Sequence, residues 1–276
     1  MPTPGWYYPS GSWSGNSPYF SNDGSGGYYY VYSKTVTGGI SNKYSEMFAN
    51  IVLPTSFNQV PSGNTNPNHN RNAYICFGLH DGNTYVDIGL QNKNGMWRPY
   101  FYDSKVDPNY INPVSSDHHH SQAFNTNNLN QTCCVSTYGA TNAVMVVKPV
   151  DSNHIKLYIQ FQNNGQNVAH AFDQNVTITA RTGGISAWKR YFRFASLVPY
   201  AHGCGVDTDS TYMLGGRFKN VQLYNSTTSS YNTWNIDTST ITQIAWAEDF
   251  PKCKVSILHA NTDGMTGESF RIDHWA

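Results

Sequence analysis

Three alternating runs between Ala73 and Tyr102, separated by Asx-Gly pairs, restrict the fold more than any other stretch. They are residues 73–80 (AYICFGLH), 84–91 (TYVDIGLQ) and 96–102 (MWRPYFY), with Asp81-Gly82 and Asn94-Gly95 between them. Asp-Gly and Asn-Gly supply positive φ at little steric cost, which two-residue hairpin turns require. In the middle run Val86, Ile88 and Leu90 alternate with Tyr85, Asp87 and Gly89, so one face of that strand is buried. The stretch predicts a three-stranded antiparallel meander.

A second meander is expected from residues 143–148 (AVMVVK) and 155–162, where Ile155, Leu157, Ile159 and Phe161 alternate with polar partners. It turns at Asp151-Ser152-Asn153 and again at Asn163-Asn164-Gly165, continuing through 168–172 and 176–180. Further strands are expected at 28–32, 47–53, 188–198, 216–224, 255–259 and 269–272. Residues 56–72 and 103–131 read as polar loops, the second holding His118-His119-His120. No segment carries a 3.6-residue apolar stripe, so the chain is all-β, a sandwich or barrel of short strands. Residues 1–27, rich in Pro, Gly, Ser and Tyr, read as an N-terminal arm, and 28–276 as one domain with long polar loops.

The two meanders followed by residues 215–224 (GGRFKNVQLY) resemble the jelly-roll of concanavalin-type lectins and laminin-G-like modules. Such domains often close with a Gly-x-Phe-x-Asn-Val-x-Leu-Tyr type strand. The resemblance covers residues 73–225 and implies an antiparallel jelly-roll β-sandwich that recognises glycans.

Composition narrows the function. Lys+Arg and Asp+Glu both number 17, so the net charge is zero. That removes the excess of cations a nucleic-acid binder needs against phosphate. Charged residues are 12% of the chain against roughly 25% in typical soluble domains. Aromatics reach 14%, which argues against disorder. No apolar run approaches the roughly 20 residues of a membrane-spanning helix. The start, Met1-Pro2-Thr3-Pro4-Gly5, lacks the basic and apolar regions of a Sec signal peptide, so either an already mature chain or a protein that is particle-associated or released by lysis is expected.

Five cysteines, Cys76, Cys133, Cys134, Cys204 and Cys253, form no Cys-x-x-Cys pair, and buried free thiols are the plain expectation. Cys133-Cys134 stands apart, because each could bridge a different partner. Glycoside hydrolysis needs two carboxylates flanking one bond. Glu46, Glu248 and Glu268 are the only glutamates and lie far apart. Asp207 and Asp209 share the required spacing, but their glycine-rich loop suits an Asx-turn, or two oxygen ligands for Ca2+, better than an acid/base pair. His202 and Cys204 lack a third orienting group, and no Gly-x-Ser-x-Gly, His-Glu-x-x-His or P-loop occurs.

Aromatic residues carry the ligand expectation. Trp97, Tyr100 and Tyr102, with Asp81 and Asn83 in the preceding turn, could stack and orient a sugar. Core packing is the alternative for Trp97. The expected protein is therefore non-enzymatic, displayed on a virion, tail, inclusion or surface layer, and recognises a glycan or surface. A homo-oligomer or larger assembly would form through its arm. The alternatives are a purely structural self-assembling subunit and a pore-forming toxin built on the Ser/Thr-rich tract 225–243.

Overall fold

β-branched and aromatic residues in period two dominate the chain, and they form strands almost throughout. The computed structural model describes residues 6–7, 27–58, 72–93, 95–105, 133–198, 211–234, 242–249, 253–259 and 267–274. Its strands are β1 (Trp6–Tyr7), β2 (Gly27–Ser33), β3 (Tyr44–Val52), β4 (Ser56–Asn58), β5 (Asn72–His80) and β6 (Tyr85–Lys93). Then come β7 (Met96–Asp103), β8 (Val135–Ser136), β9 (Asn142–Pro149), β10 (His154–Asn163), β11 (Gln166–Asn167) and β12 (Phe172–Thr177). The last are β13 (Arg190–Val198), β14 (Thr211–Asn225), β15 (Ser230–Thr233), β16 (Thr242–Asp249), β17 (Cys253–His259) and β18 (Gly267–His274). Two 3-10 turns accompany them, and no α-helix occurs among the described residues.

The strands form two antiparallel sheets. One runs β1-β17-β18-β14-β3-β9-β10-β11, with β12 beside β10 and both β4 and β15 beside β14. The other runs β16-β2-β13-β5-β6-β7-β8. Their inner faces bury one continuous core. Met47, Ala49 and Ile51 with Met145 and Val147 meet Ile75, Phe77, Val86, Ile88 and Leu90 across it. Tyr191 on β13 donates its hydroxyl hydrogen to the Tyr44 carbonyl of β3 at 2.6 Å, pinning one sheet to the other. The all-β sandwich is thus present.

The first meander and the 143–148 and 155–162 strands of the second stand where alternation put them, but the strands expected at 168–172 and 176–180 are replaced by β11 and by β12 at Phe172–Thr177, and the first turn differs. Lys93 pairs with Met96, giving the two-residue Asn94-Gly95 connection, with Gly95 at φ 72°. His80 pairs with Tyr85, so the Asp81 loop spans four residues. There Oδ1 of Asp81 accepts the amides of Asn83 and Thr84 at 2.8 and 2.7 Å, an Asx-type closure that takes more chain than a type I′ turn. The strand expected at 216–224 extends in both directions as β14, which bends at a register shift between Met213 and Gly216. Part of the Ser/Thr-rich tract folds back as β15 on β14, Tyr231 opposite Tyr224. Within the expected arm, Trp6 pairs with Leu258 of the same chain. No helix among the described residues is long and apolar enough to cross a membrane.

Candidate functional site

Because Ile75, Phe77, Leu79, Val86, Ile88 and Leu90 face the core, their alternates on β5 and β6 stand on the outer face of the seven-stranded sheet. There Tyr74, Cys76, Tyr100, Tyr102, Phe192 and Phe194 build a second apolar cluster, with Tyr32 and Tyr85 packed against it. The rings interlock at centroid distances of 4.8 Å for Tyr74–Tyr100, 5.9 Å for Tyr85–Tyr102 and 5.2 Å for Tyr32–Phe192. Such tilted pairs each contribute about 0.5–1.5 kcal/mol beyond area burial.

Asp87 stands in the middle of this aromatic face. It pairs with Gly78 on one side and Tyr102 on the other. Gly78 is required there, because a Cβ at that position would lie 2.0 Å from the Phe192 ring. The bare glycine leaves the space that the Phe192 ring occupies. Gly78→Ala is expected to displace the ring and to destabilise the fold by about 1–3 kcal/mol, read by urea denaturation. An unchanged midpoint would contradict this packing.

The Asp87 carboxyl accepts no hydrogen bond among the described residues, and desolvation by its surroundings pushes its pKa well above the ordinary carboxylate value. Burial, and then the charge of Asp87, likewise pushes the Cys76 thiol up. Folded Asp87 keeps its proton where the unfolded chain has released it, so its contribution to stability falls as pH rises from 3.8 to the raised folded value. Asp87→Asn is therefore expected to match the native protein in acid and to exceed its urea midpoint in mild alkali. Equal midpoints at both pH values would contradict the shift.

His80 lies across the hairpin, diagonal to Asp87, at a spacing of about 7 Å typical of such neighbours. Its Nδ1 accepts the Gly82 amide at 2.9 Å, so the neutral ring carries its proton on Nε2. Desolvation and then the Arg190 charge lower its pKa below 6.5, against a smaller opposing effect of Asp81. One hairpin therefore places a carboxyl whose pKa is pushed up and an imidazole whose pKa is pushed down on the same half-buried face.

Two polar networks flank the pair. Gln91 is buried and held on both sides: Arg98 donates to Oε1 from Nε and Nη2 at 2.9 and 2.7 Å, and Nε2 donates to the Tyr74 hydroxyl at 3.1 Å. Arg181 is 1% exposed and grips Asp103, 2% exposed, through Nη2–Oδ1 at 2.6 Å and Nη1–Oδ2 at 3.0 Å. Its Nε donates to Asp81 Oδ2 at 3.1 Å. Burial raises the Asp81 pKa, but hydrogen bonds from Thr84 and Asn83, with the Arg181 charge, outweigh it and hold the carboxyl below its ordinary value.

The residues singled out in the sequence are thus dispersed. Trp97 is fully buried in the inter-sheet core, while Tyr100 and Tyr102 stand on the outer face. Asp81 is engaged with its own turn and Arg181, and Asn83 is exposed at the tip of that turn. Asp207 and Asp209, offered for Ca2+, lie outside the described residues, as do His118-His119-His120, His202 and Cys204. Cys76 is buried, and the Sγ atoms of Cys133 and Cys134 lie 4.0 Å apart. Asp87 and His80 were missed, although a mid-strand aspartate between tyrosine and glycine was a visible signal, because aspartate is depleted in strands.

No known family profile matches the chain. No curated protein matches it either. Among solved structures it is similar to scytalido-glutamic peptidase bound to a peptide-based transition state analog. That likeness has 10% identity and a TM-score of 0.43, covering 92% of this chain and 98% of that one. It is also similar to SCP-B, a member of the eqolisin family of peptidases, in complex with the tripeptide Ala-Ile-His. Identity is again 10%, TM-score 0.40, and coverage 92% and 98%. These are a different β family from the lectin and laminin-G-like modules. The expectation of a non-enzymatic glycan-recognising protein, with its coat-forming and pore-forming alternatives, is corrected accordingly: the solved structures named here are peptidases. The expectation rested on finding no catalytic constellation in the linear sequence, where paired acidic residues were sought. At these TM-scores the likeness transfers no residue role or activity to this chain.

Proposed function

We propose that the chain is a hydrolase of uncharged amide or ester bonds, of the kind a peptide presents, with Asp87 and His80 as its working pair. The observation that carries this reading is the opposite displacement of two titratable groups on one aromatic-lined face, Asp87 upward and His80 downward. Perturbed groups of this kind concentrate at functional sites.

The roles follow from the atoms. The Nε2–H of neutral His80 donates to the substrate carbonyl oxygen and to the negative charge that develops there. The diagonal register brings the two residues to neighbouring positions on one face, where a substrate carbonyl and one water would meet both. Asp87, once ionised, takes a proton from the attacking water and then delivers it to the leaving amine or alcohol, so one carboxyl serves both half-steps. Tyr85, Tyr102 and Phe192 exclude bulk water and accept the apolar flanks of the substrate.

The test is a pH–rate profile with p-nitrophenyl acyl esters and an unbiased neutral peptide library. The rate is expected to rise through the raised Asp87 value rather than near 3.8. A native rate no higher than that of Asp87→Asn at every pH would overturn the reading.

A further inference from the structure

Arg190 opens β13 directly opposite His80 of β5, and period two sets its side chain on the outer face with Phe192 and Phe194. Opposite residues of an antiparallel pair hold their Cβ atoms about 4.5–5.5 Å apart. The Arg190 charge is accordingly felt at the imidazole, where it works against protonation.

Asp81 and Asp103, which flank the same end of the sheet, are both taken by Arg181. Arg190 has no such partner among the described residues. Its Nε donates to Thr35 Oγ1 at 3.2 Å, and neither Nη group has a hydrogen bond or ion pair there. Lys34, exposed and next to Thr35 in the chain, adds a second positive charge without an ion pair among the described residues. The hydroxyl of Thr35 thus anchors one edge of the guanidinium and leaves its two Nη groups as a fork, the shape that takes a carboxylate bidentately. Neighbouring strands lie about 4.8 Å apart, close to the roughly 3.8 Å between consecutive Cα atoms. A carbonyl at His80 and a carboxylate at Arg190 therefore suit residues adjacent in one peptide.

We propose that Arg190 is a specificity-determining residue that binds a substrate carboxylate one residue from the scissile carbonyl. The inference rests on the Asp87–His80 reading for the place of that carbonyl. The carboxylate is either the end of the peptide or an acidic side chain, and three peptides separate the two: acetyl-Phe-Ala as free acid, the same peptide as its C-terminal amide, and acetyl-Phe-Asp amide. Steady-state rates are measured at about pH 8, where an ordinary histidine is neutral. The expected result is a KM about tenfold lower for one of the two carboxylate peptides than for the neutral amide, the scale of a hydrogen-bonded charge. Arg190→Gln is expected to abolish that advantage with kcat unchanged, and Arg190→Lys to restore part of it. Equal KM values for all three peptides, or a preference that survives Arg190→Gln, would overturn the proposal. Binding of the same peptides to Asp87→Asn, followed by the His80 ring signals in NMR, separates this site from the chemistry. A carboxylate preference there without hydrolysis by the native protein upholds the Arg190 site and rejects the hydrolase. Hydrolysis without any preference does the reverse, and no binding of any of the three rejects the Arg190 site.

Discussion

Arg181→Met is expected to lower the stability of the fold by about 3–5 kcal/mol, the usual loss when one member of a buried ion pair is removed. The size follows from what the substitution leaves behind. Arg181 and Asp103 are 1% and 2% exposed, and their contact is bidentate. Without the guanidinium, Asp103 keeps the amides of Thr179 and Lys105, at 2.9 and 3.0 Å, but has no counter-charge in a water-poor site. The guanidinium also lies 5.2 Å from the Trp188 ring and donates to the Thr179 carbonyl at 2.7 Å, so packing is lost with the charge. Pairing the change with Asp103→Leu is expected to restore most of the loss, because both charges then leave together. Urea denaturation of the single and double variants measures this. A single-variant loss below about 1 kcal/mol would contradict the account. Arg181 also holds Asp81, the neighbour of His80, so the same variant is expected to loosen the hairpin that presents the imidazole.

Asp87→Asn is expected to reduce kcat by about a hundredfold to ten-thousandfold, the usual range for losing a positioned general base. The amide keeps the shape of the carboxyl but can neither take a proton from water nor return it to a leaving group. His80→Gln is expected to reduce kcat by about a hundredfold to a thousandfold, the scale for removing one donor to a developing oxyanion. The two differ in pH dependence. Asp87→Asn abolishes the rise through the raised carboxyl value, whereas His80→Gln lowers the plateau and leaves that rise in place. Steady-state rates across pH distinguish them. An Asp87→Asn variant with the native profile would show that another group moves the proton.

The meander that carries both residues was legible because each of its properties is local. Period two sorts Val86, Ile88 and Leu90 inward, and Asn94-Gly95 sets the second turn. The same alternation assigns Asp87 and His80 to the outer face, but register decides which side chains become neighbours there. That register depended on the first turn. A two-residue Asp81-Gly82 connection would have shifted the pairing of β5 with β6, whereas the four-residue loop places Gly78 opposite Asp87. The Asp103–Arg181 pair was illegible for another reason. Its partners are 78 residues apart, and Asp103 opened a stretch that reads as polar loop. Nothing in local composition distinguishes a buried aspartate from a solvated one. Trp97 shows the converse: its strand and turn were correctly placed, while its direction into the core follows from pairing with Asn92 and from the sheet behind it.

The most direct test of the acid–base centre is one NMR titration of the intact protein, following the Asp87 carboxyl carbon and the His80 ring together. The account predicts that Asp87 titrates well above 3.8 and His80 below 6.5, and that Asp87→Asn removes the first transition alone. An Asp87 carboxyl that titrates at or below 3.8 would place an ordinary solvated aspartate on the sheet and contradict the centre.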